Sequence, residues 1–318
     1  MSPADHWAAR PETATLRGMR LLIAVYRHGG IWPFRLCLAP VVLCYALFHG
    51  RARRASADYR ARMHRINPAF PPPRPWHFVR HLWQFANALL DKLAVWMGDI
   101  TRDRVMLHGS DTIDDLLQRR RGALILISHL GNFEICQALS ETRPGLRLTV
   151  LHHTANAAKF NAILAQYNRE SRIELLQVAD LDVATAIRLN EKIGAGEFVA
   201  IAADRVAIDN DRSLSLDFLG APAPFPLGPF ALAVALEAPV LTIHCLKHSG
   251  RYHIHFDVLW QGGAVPRNRR GAQRHALARA FAARLAHHCL AAPWQWYNFF
   301  PFWESARVAH DPQFRDDR

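Results

Sequence analysis

Gly122-Ala-Leu-Ile-Leu-Ile-Ser-His-Leu-Gly-Asn-Phe-Glu134 is the stretch on which the fold of this 318-residue chain turns. Its first half is an unbroken apolar run, short and rich in Leu and Ile, the pattern of a strand buried on both faces. Its second half changes character at once. Gly131 turns the chain and Asn132-Phe133-Glu134 opens a helix, so His129 stands at the carboxyl end of the strand. In α/β folds that edge is where ligands bind.

Working outward, β-rich runs recur at 146–152, 197–203, 239–245 and 252–259. Helical patterns fall at 131–141, 157–170, 181–192, 229–236 and 271–290. This alternation predicts an α/β fold with a mixed, mainly parallel sheet flanked by helices.

The amino-terminal part reads differently. Residues 31–48 (IWPFRLCLAPVVLCYALF) are largely apolar but interrupted by Pro33, Arg35 and Pro40, and a clean membrane span needs about 20 apolar residues. Arg51, Arg53, Arg54, Arg60, Arg62 and Arg65 follow, a cluster suited to cytoplasmic lipid headgroups. The segment is either a membrane-associating helix or a buried core helix with a solvated basic helix behind it. The proline-rich run 67–75 stops what precedes it. Residues 1–66 are therefore expected to form a helical membrane-associating extension, and 76–318 the α/β domain. Val79, Leu82, Phe85, Ala86, Leu89, Leu90, Leu93 and Trp96 then recur at helical spacing, as an apolar stripe facing core or membrane. The first fifteen residues carry Asp5 and Glu12 and no apolar centre, unlike a secretory signal, which puts the folded body on the cytoplasmic side.

A formal charge of +12 favours anionic partners: nucleic acid, anionic lipid or an acidic carrier protein. Zinc-finger spacing, RNA-binding signatures and a basic reading helix are all missing, so nucleic acid is not expected. A hydrophobic content of 50% with nine tryptophans excludes a disordered or fibrous chain. Cys37, Cys44, Cys136, Cys245 and Cys289 are odd in number and unpaired by CxxC spacing, which indicates neither a disulfide framework nor a cysteine zinc site.

The chemistry is expected at His129 and Glu134. On one continuous helix, five residues of separation would set them about 140° apart. The turn at Gly131 instead lets Glu134 fold back beneath the imidazole. An imidazole takes a hydroxyl proton near neutral pH, while a carboxylate on its other nitrogen fixes the tautomer and stabilises the imidazolium. This is the logic of a serine-protease triad with the acceptor's own hydroxyl in place of the serine. The chain has no GxSxG elbow and no cysteine in a nucleophile motif, so direct transfer is expected, with no metal or cofactor.

Ser128-His-Leu-Gly-Asn-Phe-Glu134 resembles the H-x4-D/E motif of the lysophospholipid and lipid A late acyltransferase superfamily, and the resemblance runs through residues 17–303. It implies a glycerolipid acyltransferase-like fold at the cytoplasmic face of the inner membrane. It also implies acyl transfer from a carrier thioester to a hydroxyl of a membrane lipid, with His129 as general base and Glu134 as its partner. Ala202-Ala-Asp-Arg205, Phe218-Leu-Gly-Ala-Pro-Ala-Pro-Phe-Pro-Leu-Gly228, Ala238-Pro-Val240 and Pro293-Trp-Gln-Trp-Tyr297 are similar too. Asn132, Asp204, Arg205, Phe225 and Gly228 are accordingly the expected substrate-binding residues. Arg205 either stabilises an oxyanion or an anionic group beside His129, or forms a structural pair with Asp204 at a strand end. Phe225-Pro-Leu-Gly-Pro229 reads as a rigid turn into a helix, lining an acyl tunnel or only stiffening a loop.

Two departures narrow the acceptor. Where glycerophospholipid acyltransferases carry an F-P-E-G-T-R-S-like phosphate motif, this chain has Phe225-Pro-Leu-Gly-Pro229. Where lipid A acyltransferases carry a W-x-x-x-R-F-like stretch, Trp296-Tyr-Asn-Phe-Phe-Pro-Phe302 has no basic residue. The subgroup most alike is the one associated with aryl polyene or xanthomonadin pigment clusters, which implies a polyene or fatty acyl chain moved onto a membrane lipid. Acyl carrier protein is favoured over acyl-CoA as donor, because an acidic carrier suits Arg119, Arg120 and Arg121 or Arg267, Arg269 and Arg270. The alternatives are a lipid A or lysophospholipid acyltransferase and a non-catalytic membrane scaffold of the same fold.

Overall fold

The computed structural model describes residues 16–136, 145–152, 173–177, 183–206 and 213–303. Its strands are β1 (Val105–His108), β2 (Ala123–Ile127), β3 (Leu148–His152), β4 (Ile173–Gln177), β5 (Phe198–Ala202), β6 (Ser213–Phe218), β7 (Ala221–Pro226), β8 (Val240–His248) and β9 (Arg251–Trp260). Seven of them form one sheet in the order β1-β9-β8-β2-β5-β3-β4, and β6 and β7 form a separate hairpin. Every pairing in the large sheet is parallel except β8 with β9. That pair is joined by Ser249 and Gly250, both at positive φ (49° and 80°), the left-handed turn whose twist matches a two-residue hairpin.

The helices are α1 (Leu16–Gly29), α2 (Ile31–Phe48), α3 (Gly50–Ile66), α4 (Pro75–Trp96), α5 (Asp111–Gln118), α6 (Val183–Gly194), α7 (Leu227–Leu236) and α8 (Arg270–Ala291). The five residues of β2 are all buried, because both faces of the central sheet are covered. On one face Leu124, Leu126, Val199 and Val240 pack with Phe230 of α7, Phe281 of α8 and Phe225 of the hairpin. On the other, Ile125, Phe198, Leu241 and Ile254 pack with Ile113 and Leu116 of α5 and with Ala94 and Val95 at the end of α4.

The amino-terminal helices are tied into this body. Phe34, Leu38, Val42 and Ala46, one i+4 stripe of α2, are buried in a cluster with Phe78, Leu82, Ala86, Leu90 and Leu93 of α4. The stripe expected on α4 is thus core along most of its length, with Val79 and Leu89 left exposed. Tyr59 and Met63 of α3 join the core beneath the sheet. The rest of α2 remains apolar and uncovered: Trp32, Leu36, Val41, Leu43, Leu47 and Phe48 are all exposed. Among the described residues, α2 is the helix long and apolar enough to cross a membrane.

The five predicted strands have observed counterparts, as do the helices predicted along 79–96 and at 181–192, 229–236 and 271–290. The helix expected at 131–141 begins instead as a 3-10 turn, Phe133–Ile135, and 137–144 and the helix expected at 157–170 lie outside the described residues. Strands β1 and β4 and the hairpin were not anticipated. In β7 Pro222, Pro224 and Pro226 share one parity and pair with Asp217, Ser215 and Ser213, so their missing N–H groups all point away from β6. The turn expected at 225–229 is therefore a strand end running directly into α7.

Candidate active site

Strands β2 and β5 pair in parallel register to Ile127 and Ala202. Two residues beyond that last pair, side by side at the carboxyl edge of the sheet, come His129 and Asp204. The His129 ring nitrogen Nδ1 lies 2.8 Å from Asp204 Oδ1, and the His129 backbone N–H donates to Oδ2 over 2.8 Å. The indole Nε1 of Trp296 donates to the same Oδ2 over 3.2 Å. Against the upward push of burial, His129 and then Arg205 hold the Asp204 carboxyl down to about 2. An ionised carboxylate only accepts, so the network assigns the imidazole proton to Nδ1 and leaves the Nε2 lone pair available. The Asp204 side chain is 1% exposed and that of His129 34%. The carboxylate is held in the core while the imidazole reaches solvent.

Backbone geometry fixes the segment after His129. Gly131 has φ +73°, and a Cβ there would meet the Cys245 carbonyl oxygen at 1.8 Å, so only glycine fits. The Gly131 N–H donates to the Gln295 carbonyl, the Asn132 N–H to the Cys245 carbonyl, and the Tyr297 N–H to the His129 carbonyl. The Asn132 side-chain amide donates to the Ala88 carbonyl of α4 over 2.8 Å and is buried, a brace rather than an open ligand group.

The Nδ1 contact expected for Glu134 is made by Asp204. The Glu134 carboxylate is bonded to the Lys92 ammonium of α4. Burial raises the Glu134 carboxyl, yet Lys92, with a further contribution from His129, outweighs it and holds the group below its ordinary value. The contact with Nδ1 belongs to Asp204 because the Gly131 turn sends the chain toward β8 and α4, away from β5.

The remaining expected residues divide. Arg205 donates from Nη2 to the Tyr297 carbonyl over 2.9 Å and lies over the Phe300 ring at 5.4 Å, anchoring the 296–300 segment. Burial lowers its guanidinium to about 10, so it stays charged. Phe225 is fully buried among Phe218, Phe281 and Phe302, in the core and not in an open site. Gly228 is half-buried in the first turn of α7. Both arginine triplets lie toward the edge of the sheet opposite His129. Arg121 precedes β2 whereas His129 follows it, a separation of about 16 Å along five strand residues. Arg267–Arg269 follows β9, whose Trp260 end pairs with Val240 at that same far edge.

Sequence reading missed the support behind Asp204. The carbonyl of Trp296 accepts from His81 Nε2 over 2.9 Å, and the Ser56 hydroxyl faces His81 Nδ1 at 2.9 Å. A carbonyl accepts only, so His81 is the Nε2–H tautomer and Ser56 donates. Burial lowers His81 to about 4 and keeps it neutral. The buried thiols of Cys136, Cys245 and Cys289 are all pushed up, which disfavours a thiolate nucleophile among them.

A family model described as bacterial lipid A biosynthesis acyltransferase matches residues 80–305. The chain belongs to that family. It is also similar to the phosphatidylinositol mannoside acyltransferase of two strains of Mycobacterium tuberculosis, each 26% identical over 205 residues, or 63% of this chain. The match spans 60% of the length of those relatives. The family match runs from α4 through the sheet to the 294–303 segment. It therefore takes in His129, Asp204 and Trp296 together and leaves α1–α3 outside.

Proposed function

We propose that this member of the lipid A biosynthesis acyltransferase family is an O-acyltransferase that moves an acyl chain from a carrier thioester to a hydroxyl of a membrane lipid. The observation that carries the reading is the His129 Nδ1–Asp204 Oδ1 contact at 2.8 Å, which leaves Nε2 as the base at the exposed edge of the sheet. His129 Nε2 takes the proton of the acceptor hydroxyl as its oxygen attacks the thioester carbonyl. Collapse of the tetrahedral intermediate breaks the C–S bond, and the imidazolium returns the proton to the leaving thiolate. Asp204 orients the ring and stabilises its charge. Glu134, through Lys92, is a positioning residue for the loop that carries the base.

Attachment to a membrane is supported by the exposed apolar side of α2 and by α3, whose Arg51, Arg53 and Arg54 follow it directly. The same basic cluster supports a place at the cytoplasmic face of the inner membrane. The motifs around His129, Asp204 and Phe218 favour the subgroup associated with pigment clusters, with a polyene or fatty acyl chain. The mannosylated lipid in the name of the mycobacterial relatives makes a glycolipid acceptor the second reading. The donor is a thioester of acyl carrier protein or coenzyme A. The test supplies purified protein in lipid vesicles with each thioester and follows lipid products by mass spectrometry. Acylated lipid formed by the native protein and lost in His129→Ala supports the reading, and equal product from both defeats it.

A further inference from the structure

His244 lies in the middle of β8 and is 1% exposed. Neither of its ring nitrogens has a hydrogen-bond partner. A buried imidazole with both nitrogens unmatched is rare, since one is a donor and the other an acceptor, and each leaves water at a cost.

The side chains around it explain why. In the β8–β9 register His244 pairs with His255 and Thr242 with Asp257, so His244, His255 and Asp257 share one face of the sheet. Helix α8 covers that face and places His288 over it, with ring centroids 4.4 Å from His244 and 4.9 Å from His255. His288 Nε2 is 3.3 Å from Asp257 Oδ2. The other carboxylate oxygen, Oδ1, is 3.6 Å from Arg284. One ligand atom from each of His244, Asp257 and His288 lies within 4.8 Å of the other two. Two imidazoles, both buried, and a half-buried carboxylate, from three separate elements, form a donor set suited to zinc.

We infer that His244, Asp257 and His288 form a zinc site, with water completing the coordination. The ion gives the orphaned His244 nitrogen a partner. It ties β8 and β9 to α8, the helix whose end leads through Ala292 to Trp296 and thus to the support of Asp204. The site is a staple behind the reacting groups, and no step of acyl transfer passes through it.

The experiment uses the full chain without a polyhistidine tag, stripped with a chelator and then equilibrated with zinc alone. Metal retained after dialysis is measured by mass spectrometry, and the melting temperature is recorded with and without zinc. A single tightly held ion and a higher melting temperature are expected. Cobalt in its place gives visible absorption bands. His288→Gln and Asp257→Asn, which leave the buried His244 packing in place, lose the ion and the thermal shift. A second histidine pair lies nearby on β1 and β9, His108 and His253, with ring nitrogens 3.0 Å apart, and the double substitution His108→Ala with His253→Ala retains both the ion and the shift. The inference is overturned if the native chain retains no zinc, if His288→Gln and Asp257→Asn retain it fully, or if His108 and His253 prove to be what held it.

Discussion

Trp296 and His129 share one acceptor: the indole N–H of the first and the backbone N–H of the second both donate to Asp204 Oδ2, over 3.2 and 2.8 Å. Oδ1 is left for the imidazole. Trp296→Phe keeps most of the ring volume and removes one donor to a buried carboxylate. It is expected to cost about 1–3 kcal/mol in folding stability and to lower kcat roughly tenfold, the order of one weakened orienting contact. Denaturant melts and initial rates check both. With fewer donors to its charged form, Asp204 also titrates higher, so activity in the variant fails at a higher pH on the acid side.

Gly131→Ala tests the loop geometry. The added methyl would sit 1.8 Å from the Cys245 carbonyl oxygen on a backbone at φ +73°, and neither group is a flexible side-chain end. A loss of about 3 kcal/mol or more is expected, with activity abolished, by thermal denaturation and product assay.

Acid sensitivity carries the signature of two buried groups. His81 falls from 6.5 to about 4 on folding, so the unfolded chain takes its proton first. Its contribution is complete above pH 6.5 and is lost as pH falls toward 4, a change of roughly 3 kcal/mol. Asp204 is depressed from 3.8 to about 2. Its contribution, about 2 kcal/mol, is present above 3.8 and lost as pH falls toward 2. Urea midpoints measured from pH 7.5 to 2 should show a shallower upper limb in His81→Phe and a shallower lower limb in Asp204→Asn.

Much of this was legible in the sequence, and the failures are physical. The all-apolar runs of β2 and β5 announced buried parallel strands, and the end of β2 announced His129. That Asp204 is its partner depends on β2 and β5 being neighbours in a particular register, across 75 residues of sequence. No local spacing encodes that adjacency. Glu134 was the nearer carboxylate in sequence, but the Gly131 turn directs it to Lys92. Strand β1 has only four residues and β7 alternates proline with apolar residues, so neither shows an ordinary strand pattern.

The exposed face of α2 makes a prediction about location. Leu36, Leu43 and Leu47 are 77%, 53% and 61% exposed, while the stripe packed on α4 is separate from them. Replacing all three with Gln should leave the melting temperature nearly unchanged. Each lost leucine removes about 1.5–3 kcal/mol of burial in lipid, so co-sedimentation with anionic vesicles should fall at least tenfold. Equal sedimentation would mean that another surface holds the membrane.

In the proposed mechanism Asp204, and not Glu134, orients the imidazole that acts as base. Comparing kcat for Asp204→Asn and Glu134→Gln, in variants verified as folded and with the same thioester and vesicles, separates the two carboxylates. The pairing of Asp204 with Nδ1 predicts a loss of at least about 100-fold for Asp204→Asn, the scale of a misoriented general base, and within about tenfold for Glu134→Gln. Near-native turnover in Asp204→Asn together with a collapse in Glu134→Gln would contradict it.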